Sequence, residues 1–282
     1  MAIQIPKLTL MACVGVAVGC GCPGTLIAQP FPGVGGEVQR ASYEAPVASS
    51  GHPMAPVLKW AGETAANIEN GIADYSATVV SRERSGGKLS DFESVFIKIR
   101  HRPFSIYAYV LTPDDHKGDE AIFVEGRNDG KLQGHTTGIM GKLVGTVSLD
   151  PASPLAMEGQ HHPITELGTL AMCQRVIRFA RSDLRYAESQ VQFLSGATVN
   201  GRPCTCIEMI HPVPRTTFAF HVVRVFVDEQ LKVPIRYEQY DWPKEPGAAP
   251  VLVEEYTYLN LKLNNGFTDA DFDPRNRRYG FP

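Results

Sequence analysis

Cys204 and Cys206 stand two apart in "RPCTCIEMIH", with Met209, His211 and His221 close by in the chain. Thiolate and thioether groups suit copper, so a soft-metal site is one chemistry this stretch could support. The spacing matches no closed zinc pattern, and on a strand Met209 and His211 would point away from the two cysteines. A disulfide from Cys173 to Cys204 or Cys206, or inert packing, accounts for the same residues. His161 and His162 in "GQHHPITELG" come just before a helical segment. There they can cap the helix, contact a ligand or simply be exposed. His135 in "QGHTTG" is equally uncommitted. A hydrolase working in a cleft would draw on His135 or on the His161/His162 pair. No nucleophile, base and orienting group fall into a recognisable motif, and no glycine-rich phosphate loop precedes a helix. These motifs therefore predict no metal, no cofactor and no catalytic residue. Arg175, Arg178, Arg181 and Arg185 crowd "QRVIRFARSDLRY", with Asp183 and Glu188 as the nearby acids. Such a run could meet an anionic headgroup or membrane surface; a solvated helix face is the plainer reading.

Two helices and a set of strands must position these groups. "PMAPVLKWAGETAANIENGI" places Val57, Ala61, Ala65 and Ile68 on one stripe, started by proline and ended by Gly71. From Asp74 the period changes to two. "DYSATVVSRER", "DFESVFIKIRH", "PFSIYAYVLTP", "DEAIFVEGR" and "GKLQGHTT" read as five strands separated by Gly, Asp or Pro. A second helix follows, with Leu170, Cys173, Ile177, Ala180, Leu184 and Ala187 on its apolar stripe. Strands resume in "SQVQFLS", "RPCTCIEMIH", "TFAFHVVRVFVD", "VPIRYEQYDW" and "PVLVEEYTYLNLKLN". About ten strands and two helices predict an α+β fold, a large curved antiparallel sheet with helices on its concave face. In the last strand, alternation places Thr257, Leu259, Leu261 and Leu263 opposite Tyr256, Tyr258, Asn260 and Lys262. After it, Phe267, Phe272 and Phe281 can pin the tail to an apolar rim, so that the ending closes the sheet.

The N-terminus sets the compartment. Lys7 is followed by an apolar run from Leu8 to Val18, then by small residues up to "TLIAQP". The run is shorter than the roughly 20 residues needed to span a bilayer, and it has the layout of a secretory signal. Cleavage after Ala28 predicts a periplasmic or secreted mature chain of 282 − 28 = 254 residues with no transmembrane segment. The alternative is "AVGC", with Cys20 as a lipidated anchor. Residues 29–53 are rich in Pro, Gly and Ser and read as a flexible tether, leaving residues 54–282 as one domain. A net charge of −3 argues against nucleic acid as a partner.

The strand, Asp turn and Pro-started strand of "FHVVRVFVDEQLKVPIRYEQYDWP", followed by "EEYTYLNLKLNNGFTDADFDP", resemble the LolA-like lipoprotein-carrier fold. Within that group the chain looks most like the bacterial domain of unknown function family 1571. "ADYSATVVSRERSGGKLSDFESVFIKIRHRPFSIYAYVLTP" and "GDEAIFVEGRNDGKLQGHTTG" fit the earlier strands of the same fold. The resemblance covers roughly Ala55 to Phe281 and implies a curved sheet whose cavity holds acyl chains. From alternation, the candidate lining is Val95, Ile97, Ile99, Phe104, Ile106, Ile122, Val124, Phe218, Phe220 and Val222. Packed core predicts the same alternation. Three functions follow from these readings. The first is an envelope carrier or sensor of a hydrophobic ligand or lipidated protein. The second is an enzyme using the same cleft. The third is a structural module with a filled core and an envelope protein partner.

Overall fold

The structure, a computed structural model, describes residues 38–39, 51–137 and 144–282. The expected signal, residues 1–28, and most of the expected tether lie outside them. Helix α1 (Ala55–Gly71) buries Val57, Ala61, Ala65 and Ile68, as their spacing requires, and adds Thr64. Helix α2 (Thr169–Asp183) buries Cys173 and Ala180 of the expected stripe, with Met172 and Val176 beside them. Leu184 and Ala187 are exposed, because the helix stops at Asp183 and their stepping has no turn to ride on. Neither helix is long and apolar enough to cross a membrane.

Among the described residues thirteen strands form one sheet: β1 (Val38–Gln39), β2 (Asp74–Ser85), β3 (Lys88–Leu89), β4 (Glu93–His101), β5 (Phe104–Thr112), β6 (Glu120–Val124), β7 (Leu132–His135), β8 (Val147–Leu149), β9 (Gln190–Val199), β10 (Arg202–Ile210), β11 (Val222–Asp228), β12 (Pro234–Asp241) and β13 (Val251–Leu263). All ten strands expected from period two are present; β1, β3 and β8 are short additions. The order is β1-β9-β10-β11-β12-β13-β2-β4-β5-β6-β7-β8, with β3 paired to β2 off this path. Neighbours along the path run antiparallel, and the end strands β1 and β8 do not meet, so the sheet is an open half-barrel. Val38 and Gln39, inside the expected tether, pair with Val199 and Thr198.

One face of the sheet carries the main core, which both helices join through Val57, Ile68, Cys173 and Val176. Tyr75, Ile97, Ile99, Tyr237, Tyr256 and Tyr258 contribute from the strands. The last strand departs from simple alternation. A bulge between Leu259 and Lys262, with Asn260 at φ +54°, inserts a step in the pleat. Tyr256 and Tyr258 before it and Leu261 and Leu263 after it therefore reach the same core. Asn tolerates that left-handed backbone better than a branched residue would. β13 does not close the sheet at an edge; it lies in the middle, between β12 and β2.

The opposite face is polar over five strands. Glu208, Arg224, Glu238, Glu255 and Arg82 are successive partners across β10, β11, β12, β13 and β2. Arg224 Nε donates to Glu208 at 2.6 Å, Arg236 Nε donates to Glu238 at 2.8 Å, and Glu255 accepts from both Arg82 and Arg236. Unlike charges face each other at Glu208–Arg224, Arg224–Glu238 and Glu255–Arg82, which favours this register, and Arg236 bridges the like-charged pair Glu238 and Glu255. Farther along this face the C-terminal tail packs Phe272 on Tyr107, Ile122 and Val124, with Phe267 and Phe281 alongside. The aromatic tail does pin to an apolar rim. Asp74 holds its start by accepting from the amides of Asn265, Gly266 and Phe267 at 2.6, 3.0 and 2.9 Å.

Candidate functional site

Under the segment between β8 and α2, the helix-side face of the sheet leaves a cavity of about 130 Å³. Val79, Val95, Ile97, Ala108, Ala121 and Leu132 form its apolar floor. Pro151, Ala156, Ile164 and Leu167 come from the covering segment. An engineered cavity of ~150 Å³ lined by aliphatic side chains stays dry and takes up benzene. This one is of that order.

The rim is ionisable. Glu83 on β2 and Glu254 on β13 are directly paired positions on the cavity side of the sheet. Two like charges facing each other across a ladder repel, so they need a counter-charge. The covering segment brings it. His161 Nδ1 lies 2.7 Å from Glu254 Oε2 and its backbone N–H donates to Glu83 Oε2 at 2.6 Å. His162 Nε2 sits 3.1 Å from both oxygens of Glu254. The Tyr256 hydroxyl donates to Glu83, and Arg175 Nη1 approaches Glu254 Oε1 at 3.6 Å. Arg175 is thus not part of a solvated face. It is buried against Glu254 and the Tyr237 ring, while Arg178, Arg181 and Arg185 stay exposed.

Burial works against the charge of Glu254, but the hydrogen bonds from His161 and His162 outweigh it and hold the carboxyl down at about 2. The Glu254 contact pushes His161 up to about 9. Glu93, also on the cavity wall, has a carboxylate oxygen with no hydrogen-bond partner. Burial, and then the charges of Glu83 and Asp115, push it up to about 8.

This acid carries a prediction. A folded-state value above the ordinary 4.5 means that the native chain holds the proton more tightly than the unfolded chain. The contribution is present in full below pH 4.5 and is lost as pH rises through about 8. The denaturation midpoint should therefore fall across that interval. Glu93→Gln should flatten this part of the profile, and an unchanged slope in the variant would refute the assignment.

Of the residues expected to line a cavity, Val95 and Ile97 do so. Ile99, Phe104 and Ile106 pack in the core beside it. Ile122 and Val124 face the other way, into the cluster under the C-terminal tail. All five residues of β6 are buried, so its sequence shows no alternation from which to choose a face. Phe218 and Phe220 flank the buried His211, with ring centroids 3.8 and 4.4 Å from it, and Val222 is buried opposite Tyr240.

The cysteines do not converge with Met209 and the histidines. His211 binds Asp183 through Nε2 at 2.9 Å, and His221 Nδ1 bonds the His211 carbonyl. The expected disulfide is not formed: Cys173, Cys204 and Cys206 are free and buried. Cys173 sits on α2, whereas Cys206 feels Arg224, Glu208 and Glu238 of the charged outer face. Burial pushes all three thiols up to about 12, which leaves them protonated and unreactive. His135 lies against Phe281, away from the His161/His162 pair.

An open antiparallel half-barrel, two helices on one face and an apolar cavity with an ionisable rim define the class of protein. The chain belongs to the family described as protein of unknown function (DUF1571), whose model matches residues 72–281. Among solved structures it is similar to lipoprotein LppX of Mycobacterium tuberculosis, at 13% identity over 78% of this chain and 100% of that one, TM-score 0.43. It is also similar to a LolA superfamily protein from Nitrosomonas europaea, at 12% identity over 79% and 98%, TM-score 0.33. A DUF1329 family protein from Desulfovibrio piger aligns at 12% identity over 79% and 98%, TM-score 0.37. No curated protein matches the chain.

Proposed function

We propose that this is an exported envelope protein that binds a hydrophobic ligand, such as the acyl end of a lipid or of a lipidated protein, in the cavity under the β8–α2 segment. The observation that carries the reading is the cavity itself, about 130 Å³ of apolar-floored space beside the core. Space of this size admits one ring or a short aliphatic chain end. A longer acyl chain fits only with the covering segment displaced. The ionisable rim suits the polar end of an amphiphile. The signal-like N-terminus supports the compartment.

The hydrolase reading gains less. The ring nitrogens of His161 and His162 engage Glu254 and the Arg84 carbonyl, not a hydroxyl or a thiol.

Filling the cavity is the test. Ala121 is buried on its floor, and Ala121→Phe would occupy the space. The variant should bind a fluorescent short-chain fatty acid about tenfold or more weakly, a loss of about 1.4 kcal/mol or more, with an unchanged circular dichroism spectrum. Leu184→Ala, at an exposed position outside the cavity, serves as the control and should bind as the parent does. A parent that binds no fatty acid, or equal binding by parent and Ala121→Phe, would overturn the proposal.

A further inference from the structure

We propose that Glu83, His161 and Glu254 form a binding site for a divalent transition-metal ion of the zinc class. One ligand atom from each of Glu83, His161 and Glu254 falls within 4.8 Å of the others. Donors about 2 Å from a tetrahedral zinc ion lie about 3.3 Å from one another. The distances from His161 Nδ1 to Glu254 Oε2 and to Glu83 Oε2, 2.7 and 3.8 Å, straddle that spacing. Small side-chain adjustments would bring the set to it.

The tautomer of His161 points the same way. Its Nε2 is 3.0 Å from the Arg84 carbonyl, which can only accept, so Nε2 carries the hydrogen. Nδ1 is then the atom aimed at the two carboxylates, and the proton with which it bonds Glu254 is what a metal ion would displace. A backbone carbonyl on the far nitrogen is the usual support of a metal-bound histidine. The carboxylates have outer partners as well. The Tyr256 hydroxyl holds Glu83 Oε1, and Arg175 approaches Glu254 Oε1, so the other oxygen of each turns toward the histidines. An imidazole among the donors favours zinc and its neighbours over magnesium or calcium, which prefer all-oxygen sets. The three glutamate and histidine donors come from β2, β13 and the covering segment, so the ion would clasp that segment to the sheet.

The experiment uses the full chain, stripped with chelator and titrated calorimetrically with zinc chloride. One equivalent should bind with micromolar or tighter affinity, and magnesium chloride should give no heat. His161→Gln should weaken zinc about tenfold or more, whereas His161→Cys, which restores a metal-binding side chain, should recover most of the loss. Melting curves show whether each variant is folded. As a readout independent of variants, cobalt(II) bound to the parent should give the intense visible absorption of a tetrahedral site. No zinc heat and no such cobalt spectrum in the parent would overturn the proposal. Equal zinc affinity in the parent and the folded glutamine variant would do so too, by placing the ion elsewhere. The fatty-acid assay reads a different property, so either idea can fail alone.

Discussion

Gly168→Ala is expected to lower the stability of this protein by about 3–5 kcal/mol, combining backbone strain with overpacking. Gly168 precedes α2 at φ +115°, a conformation that residues with a Cβ rarely adopt. An added methyl would collide with the Tyr75 hydroxyl and approach Ile99 Cδ1 at 3.1 Å. Relief by movement is closed off, because the same hydroxyl accepts from Thr169 N at 3.0 Å and Gly168 N donates to the Tyr258 hydroxyl at 2.9 Å. Shifting either tyrosine would strand a backbone amide at the start of the helix. For a domain of this size the midpoint of thermal unfolding should drop by roughly 10 °C. A fall of less than about 2 °C would show that the helix start yields more easily than its hydrogen bonds suggest.

A loss of similar size is expected from His211→Ala. His211 is fully buried, stacked on Phe218 and bonded through Nδ1 to the Phe220 carbonyl at 2.9 Å. Its other nitrogen meets Asp183 Oδ2 at 2.9 Å, and Asp183 is itself 2% exposed. Removing the ring leaves a buried carboxylate with the neighbouring Ser182 hydroxyl at 3.1 Å, a partner that carries no charge. Breaking a buried pair from one side costs about 3–5 kcal/mol. Removing both partners should cost less than the sum of the single losses, because no charge is then stranded. Denaturant unfolding of His211→Ala, Asp183→Ala and the double variant measures this coupling. Strict additivity would mean that the two residues stabilise the fold independently.

Period two and proline-to-glycine punctuation were enough to read ten of the strands and α1, most of which bury one face and wet the other. Where that condition lapses, the sequence is silent. β6 is buried on both sides, so alternation put Ile122 and Val124 on the wrong face. In β13 the bulge at Asn260 adds one residue, and a one-residue shift reverses every later side chain. Arg175 sits among exposed arginines of the same helix, and only the register of β13 shows that a buried glutamate lies beneath it. The site was hidden for a similar reason. His161 and His162 stood out in the sequence as a pair, but Glu83 and Glu254 looked like ordinary strand acids. Their opposition follows from β2 pairing with β13, a contact between residues 171 positions apart (254 − 83). No local pattern encodes it.

The same pairing governs the order in which the chain can assemble. β2 through β8 form one half of the sheet and β9 through β12 most of the other, each built from neighbours in sequence. Among the described strands only β13 bridges them, and it follows all the others in the chain. A chain emerging from its N-terminus therefore carries β2 with one edge unpaired until β3 to β12 have all appeared. Closing so long a loop is entropically costly and slow compared with forming hairpins. Until then β2 and β12 both present free backbone donors and acceptors to any strand that meets them. Completion of the fold thus waits on a single late strand, and the cavity, whose wall includes Val79 of β2 and Tyr256 of β13, comes into being only at that last step.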